Sequence, residues 1–408
     1  MALDSAPTAL VSTNGLTKRF PVSGRGLFER QRWVHAVDNV SLKIFQGRTL
    51  ALVGESGSGK TTLGQMIAGL LEPSGGSVEF GGVDLVNSKG EARRQLRRDL
   101  QFIFQDPFSS LNPRHTIRTI LSRPFEVHTV LGRTAIDSEV TQLLNLVGLG
   151  NSATLLNRHP HQFSGGQRQR IVFARAIALR PRFIVADEPV SSLDMSVKAQ
   201  LLTLLRTFQG ELGLTYLFVT HELAVVRTIA QDVAVMYLGR VVERAPTTAV
   251  FDQPLHPYTV ALLGATPLLD PVVARSRKHL PLVGPLPSSI TPPSGCHFHT
   301  RCPFARDVCA TKRPPLRALG ERQIACHFVG DSDFPLTANL PRGLVETARA
   351  SAESYAPAST SGLVTSAQLT SPTRSAVPDS GVQECVGNVG EQIRRDHDQR
   401  DEPEEAEN

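Results

Sequence analysis

The chain has no run of about 18 apolar residues, the length a membrane-crossing helix needs, so any work at a bilayer calls for a separate spanning partner. It has little surplus charge. Lys and Arg number 43 against 38 Asp and Glu, a formal net charge of +5 over 408 residues. That excess would suit nucleic acid or an anionic membrane surface, and by itself assigns neither. Residues 1–14 carry Asp4 and no basic segment, so they do not read as a secretory signal, and a cytoplasmic location is expected. No internal repeat is present, which points to one functional unit rather than two. Cysteine is scarce as well, with five in all, four of them between Cys296 and Cys326. In a reducing compartment such a cluster suggests metal more than disulfides.

What the chain does have is 40% hydrophobic residues, enough for a sizeable core. Residues 1–14 are expected to be flexible. Residues 15–244 alternate apolar strand-like runs with amphipathic helix-like stretches, the pattern of an α/β fold with a largely parallel sheet. Residues 245–330 are rich in proline and hold the cysteine cluster. Residues 331–408 are dominated by Ser, Thr, Ala, Pro and Glu and are expected to be disordered.

One motif stands out. The apolar run Thr49 to Val53 leads into Gly54-Glu55-Ser56-Gly57-Ser58-Gly59-Lys60-Thr61, and a helix is expected from Thr62 to Leu70. This is the strand, glycine-rich loop and helix that the G-x-x-x-x-G-K-[ST] pattern requires. Glycines permit the positive φ angles that turn successive N–H groups toward one anion. The helix N-terminus adds partial positive charge. Lys60 then suits the β- and γ-phosphates of ATP, the Thr61 hydroxyl suits Mg²⁺, and Thr62 completes the nucleotide-binding set.

A second apolar run, Phe183 to Ala186, ends in Asp187-Glu188-Pro189. Adjacent carboxylates at a strand end are costly unless they face charge. A Mg²⁺–ATP complex offers it. Asp187 suits the Mg²⁺ shell, and Glu188 suits the base that polarises the attacking water.

Between these two motifs, Phe163-Ser164-Gly165-Gly166-Gln167-Arg168-Gln169-Arg170 resembles the ABC signature, with Phe163 where Leu is usual. Ser164, Gly165, Gly166 and Gln167 open a helix expected from Gln167 to Leu179, a second anion-binding end. The resemblance implies that this end closes on ATP held by a partner cassette in a head-to-tail dimer. Other residues follow in the family's order. Gln105 matches the Q-loop glutamine, a Mg²⁺ and water contact. Ser192-Leu193-Asp194 resembles the D-loop, and His221 the switch histidine. Phe20 looks like the aromatic that stacks on adenine, with Trp33 as a competitor. The implied fold is a P-loop ABC cassette: parallel-sheet core, antiparallel β subdomain and α-helical signature subdomain. Glu222 stands where Asp is commoner, and Ser192 where Ala is frequent.

Within that family, the strings Gln105 to Arg114, Leu255-His256-Pro257-Tyr258-Thr259 and Pro292 to Pro303 resemble the oligopeptide, dipeptide and nickel permease ATPases. That branch implies import of peptides, nickel or other small solutes. It also implies a second ATPase subunit, two transmembrane permease subunits and an extracytoplasmic binding protein, with this chain peripheral on the cytoplasmic face. Cys296, Cys302, Cys309 and Cys326 are separated by 5, 6 and 16 residues. Four thiolates suit a [4Fe–4S] cluster or tetrahedral zinc, and the resemblance favours the cluster. Buried, reduced thiols are the alternative. Cys385 stands alone and reads as a free thiol. Arg93, Arg94, Arg97 and Arg98 lack interleaved aromatics, so they read as a solvated helix face rather than a nucleic-acid site. A soluble ABC ATPase acting on nucleic acid or ribosomes is the other reading, but it usually needs two cassettes or a long coiled coil.

Overall fold

The computed structural model describes residues 8–22, 31–150, 153–265, 284–331 and 334–336. All of them lie in the compact unit Met1–Ala356. The strands are β1 (Ala9–Val22), β2 (Arg32–Val40), β3 (Lys43–Phe45), β4 (Thr49–Val53), β5 (Gly75–Phe80), β6 (Val83–Asp84), β7 (Leu100–Ile103), β8 (Phe183–Asp187), β9 (Thr215–Val219), β10 (Asp232–Tyr237), β11 (Arg240–Pro246), β12 (Arg317–Leu319) and β13 (Arg322–Ile324). The α-helices among the described residues are α1 (Lys60–Ile67), α2 (Gly90–Asp99), α3 (Pro107–Ser110), α4 (Ile117–His128), α5 (Arg133–Leu146), α6 (Ala153–Leu156), α7 (Gly165–Ile177), α8 (Met195–Leu212), α9 (Leu223–Ile229), α10 (Thr247–Asp252), α11 (Pro257–Gly264) and α12 (Asp307–Thr311).

The main sheet has eight strands in the order β12-β13-β11-β10-β4-β9-β8-β7. From β10 to β7 every pairing is parallel. Its inner strands read Thr-Leu-Ala-Leu-Val, Phe-Ile-Val-Ala-Asp and Thr-Tyr-Leu-Phe-Val, and every residue in them is buried. Strands covered on both faces are apolar along most of their length, because no face is left for water, and the polar Thr49, Thr215 and Asp187 stand at strand ends. One large cluster covers one side, joining Ala51, Ala186 and Phe218 to Leu121, Phe125, Val140 and Ile171 of the helical region. On the other side, Leu52, Leu63, Met66 and Val185 pack with Leu16, Val37, Ile44 and Val78 of a smaller antiparallel sheet. That sheet runs β2-β1-β5-β6, with β3 also paired to β1. The parallel core, antiparallel sheet and helical region are those of an ABC cassette.

Three sequence expectations need correction. Residues 9–14 are strand, not flexible chain: Leu10 and Val11 are buried where β1 pairs with β3 and β5. A boundary at residue 244 cuts β11, and Glu243 of β11 pairs with Ile324 of β13. The C-terminal extension thus continues the main sheet, since an open edge strand offers unpaired N–H and C=O groups to any strand that reaches it. Nor does the packed chain end at 330, because Phe334 is buried against Cys309, Phe328 and Val329. The rest of the proposed disordered tail, with Cys385, lies outside the described residues.

On α2 only Leu96 is buried, and Arg93, Arg94, Arg97 and Arg98 are exposed.

Candidate nucleotide site

The phosphate loop leaves β4 at Gly54 and enters α1 at Lys60. Two of its glycines are obligatory. Gly54 has φ 153°, and a Cβ there would lie 2.2 Å from the Met236 carbonyl oxygen. Gly59 has φ 99°, and its Cβ would lie 2.0 Å from the Ala36 oxygen. Backbone approaches from β10 and β2 therefore squeeze the loop, and no other residue fits at either position. Lys60 folds back, its Nζ donating to the Gly54 oxygen at 3.0 Å and the Glu55 oxygen at 2.8 Å. Burial lowers the Lys60 pKa, while the nearby Glu188, Asp187 and Glu55 carboxylates oppose that shift.

Thr61 Oγ1 donates to Asp187 Oδ1 at 3.1 Å, bringing the loop and the acidic strand end together. Desolvation pushes the Asp187 carboxyl up to about 6, against the Thr61 hydrogen bond, and neighbouring Glu188 adds to the rise. The Lys60 ammonium opposes this rise without cancelling it, and a divalent cation would supply further positive charge. The chain then kinks. Glu188 has φ 43°, a left-handed conformation that costs a side-chain-bearing residue roughly 1–3 kcal/mol. Its N–H still continues the sheet, donating to the Val219 oxygen at 2.9 Å. The kink carries its carboxylate between two partners. Gln105 Nε2 donates to Oε2 at 3.1 Å, and His221 Nδ1 lies 2.9 Å from Oε1. Gln105, Glu188 and His221 follow the C-terminal ends of β7, β8 and β9, three adjacent parallel strands. Ligands of open parallel sheets bind at that edge.

Ser164 and Gln167 do not join this cluster. They form a reciprocal cap: Ser164 Oγ accepts from the Gln167 N–H at 3.3 Å, and Gln167 Oε1 accepts from the Ser164 N–H at 3.0 Å. Gly165 and Gly166 follow as the first turn of α7, where a Cβ on Gly166 would meet Val197 of α8 at 2.5 Å. Ser192 and Asp194 are exposed, and half-buried Leu193 packs against the main cluster. Phe20 and Trp33 sit on one hairpin, 36% and 40% exposed. Phe20 pairs with Val34 and Trp33 with Pro21, so the two rings point to opposite faces and only one can meet a given base.

Some contacts were not anticipated from sequence. The Arg168 guanidinium stacks 3.6 Å from the centre of the exposed Phe108 ring, tying α7 to the segment after Gln105. Glu222, the departure from Asp, pairs with Lys198 of α8 at 2.6 Å. Two residues of the extension, Tyr258 and Arg301, hold Glu55 of the phosphate loop. Both lie in strings that marked the branch, so their presence was visible but not their target.

The four cysteines Cys296, Cys302, Cys309 and Cys326 line one small cavity of about 20 Å³, walled by Phe298, Phe304, Phe328 and Phe334. Burial pushes Cys302 up to about 11 and Cys326 up to about 12, with the other thiols adding to both rises. Among the described residues no group of three His, Cys, Asp or Glu side chains is arranged to hold one metal ion. The donor set suits a cluster, but a cavity of about 20 Å³, room for about one water, would have to open to admit it. Among the described residues no helix is long and apolar enough to cross a membrane.

Residues 37–191 match the ABC transporter family, and residues 242–309 match the oligopeptide/dipeptide transporter C-terminal region. The chain is 45% identical to a di/tripeptide transport ATP-binding protein, DppF, of Pseudomonas aeruginosa, over 78% of this chain and 97% of that one. It is 44% identical to the oligopeptide transport ATP-binding protein AppF of Bacillus subtilis, over 78% and 97%. The cassette MJ0796, solved as a dimer bound to ADP and Pi, superposes with a TM-score of 0.52 at 28% identity, covering 58% of this chain and 98% of that one. CbiO1 of Clostridium perfringens, part of the transporter complex cbiONQ, gives 0.51 at 27% identity, covering 60% and 91%. With the phosphate loop, the acidic strand end and the capped signature helix in place, the chain belongs to the ABC transporter ATP-binding proteins, in their oligopeptide/dipeptide branch.

Proposed function

We propose that this chain binds and hydrolyses ATP to drive import of di- and oligopeptides through a membrane permease. The observation that carries the ATPase reading is the convergence of Gln105, Glu188 and His221 beside the Thr61–Asp187 contact. The peptide reading rests on relatives whose names specify peptide transport.

Lys60 and the loop amides bind the β- and γ-phosphates. Thr61, Gln105 and Asp187 would hold Mg²⁺, which supplies positive charge to the phosphate oxygens. Glu188 accepts a proton from the attacking water, and its left-handed backbone aims it there. His221, through Nδ1, keeps that carboxylate oriented, and its other nitrogen would serve the γ-phosphate. Ser164, Gly165, Gly166 and Gln167 serve the ATP of a second cassette, identical or related. Ser192, Leu193 and Asp194 lie at the cassette interface, and Phe20 stacks on adenine. Two permease subunits complete the machine, with a binding protein outside the membrane and this chain peripheral on the inner face.

Uptake of labelled di- and oligopeptides should collapse in cells carrying Glu188→Gln at matched expression. Unchanged uptake, with no redundant system present, would remove peptides as cargo and turn the search to nickel and other solutes. For the four cysteines we propose a [4Fe–4S] cluster seated once their cavity opens. Iron with acid-labile sulfide in anaerobically purified protein supports it. Zinc without sulfide replaces it, and absence of both leaves four reduced thiols.

A further inference from the structure

Glu55 is the second residue of the phosphate loop, and each of its polar groups is held. Its carbonyl oxygen accepts from Lys60 Nζ at 2.8 Å and from the Ser58 N–H at 3.2 Å, both inside the loop. Its other two holds come from the C-terminal extension. The Glu55 N–H donates to the Tyr258 hydroxyl at 2.8 Å, across 203 residues of sequence. Its carboxylate takes Arg301 Nη1 at 3.0 Å on Oε1 and 3.2 Å on Oε2, across 246 residues.

These contacts are built into packed structure. The Arg301 side chain is 6% exposed and that of Glu55 24%. Tyr258 is fully buried, and its ring lies 4.7 Å from that of Tyr237 and 5.4 Å from that of Phe298. Arg301 Nη1 also reaches the Tyr237 hydroxyl at 3.4 Å. His256 caps the helix that carries Tyr258, its Nδ1 accepting from the Tyr258 N–H at 3.1 Å.

The chemistry explains the need. A loop that must receive a polyanion carries a carboxylate as its second residue, close enough to Lys60 for the two charges to interact. An uncompensated carboxylate there would repel the phosphates and compete with them for the Lys60 ammonium. A guanidinium held against it cancels that charge and keeps the side chain away from the cradle.

We infer that Arg301 and Tyr258 are positioning residues for ATP binding: the extension completes the phosphate loop by neutralising and orienting Glu55. Neither residue touches the reacting atoms. Arg301 acts through the Glu55 carboxylate and Tyr258 through the Glu55 amide, and the inference rests on the nucleotide-binding reading of the loop.

The test is a double-mutant cycle on the full-length chain, reading the Kd for Mg–ATP together with kcat. Arg301→Ala should weaken ATP binding about tenfold with a much smaller change in kcat, and in the Glu55→Gln background it should cost less than about twofold. Tyr258→Phe, which removes only the acceptor, should weaken binding about threefold. Arg301→Lys should recover part of the loss by restoring charge without the fork. Equal losses for Arg301→Ala in both backgrounds, or no loss in either, would overturn the inference, as would failure of the variant to fold in both, which assigns Arg301 to the architecture of the extension alone. A wild-type chain that binds no ATP would overturn the nucleotide-binding reading itself and is read from a separate arm.

Discussion

Thr61 Oγ1 donates to Asp187 Oδ1 at 3.1 Å, joining the first turn of α1 to the end of β8. Around this contact a buried lysine, a desolvated aspartate and a kinked glutamate share one end of a parallel sheet. The arrangement is costly in the empty chain and suited to a bound metal–polyphosphate.

Glu188→Gln should lower ATP hydrolysis by about 10²- to 10⁴-fold, the usual range for a general base, while leaving ATP binding intact. The amide keeps the contacts to Gln105 and His221 but cannot take a proton. Steady-state ATPase measurement with gel filtration in ATP checks it. The variant should accumulate as an ATP-bound dimer.

Gly59→Ala should abolish ATP binding. The added Cβ would lie 2.0 Å from the Ala36 oxygen at a φ of 99°, so the loop or β2 must move. Gly75, with nothing within 4 Å of its Cβ position, is the control: Gly75→Ala should bind ATP as the native chain does. Nucleotide titration of both variants separates them.

Ser164→Ala should lower stability by about 1 kcal/mol through loss of the α7 cap. On the proposal that the same hydroxyl serves the partner cassette's nucleotide, it should also weaken ATP-driven dimerisation. Thermal unfolding without nucleotide and sedimentation with ATP report the two effects. Ser164→Asp keeps a cap acceptor but adds negative charge, so it should recover stability and not dimerisation.

His256 gives an acid-sensitive step. Burial pushes its pKa down to about 3, and its unprotonated Nδ1 caps α11. Folded His256 is neutral while the unfolded chain binds a proton below about 6.5, so its stabilising contribution is full above that pH and falls as pH drops toward 3. By pH 4.5 the loss should reach about 2–3 kcal/mol. Buried Glu243, whose pKa is raised by desolvation, works in the opposite sense. The measurement is therefore the difference in denaturant midpoint between the native chain and His256→Asn across pH. Asn keeps an N-cap and does not titrate, so its profile should be flatter.

The sequence by itself determined the chemistry of this protein. The phosphate loop, the Asp187-Glu188 pair and the Ser164-Gly165-Gly166 cap are local patterns, each written in a few consecutive residues where strand, turn and helix meet. Their physics is local too: glycine torsions, a helix N-terminus, an apolar strand ending in acids. Gln105 and His221 were assigned by the order of motifs in the family the chain resembles, and the structure shows that they and Glu188 follow three adjacent strands of one parallel sheet.

What only the tertiary structure decided are relations between distant segments. Nothing local in Arg301 names Glu55, and nothing in Glu243 names Ile324. The extension looked separate because its composition changes at proline-rich chain, yet its hairpin finishes the main sheet and its side chains finish the phosphate loop. Burial of Leu10, Val11 and Thr13 likewise follows from partner strands rather than from periodicity. Pairing a guanidinium with a carboxylate, or one strand edge with another, needs only complementary groups brought close. Which groups come close is set by how the whole chain packs.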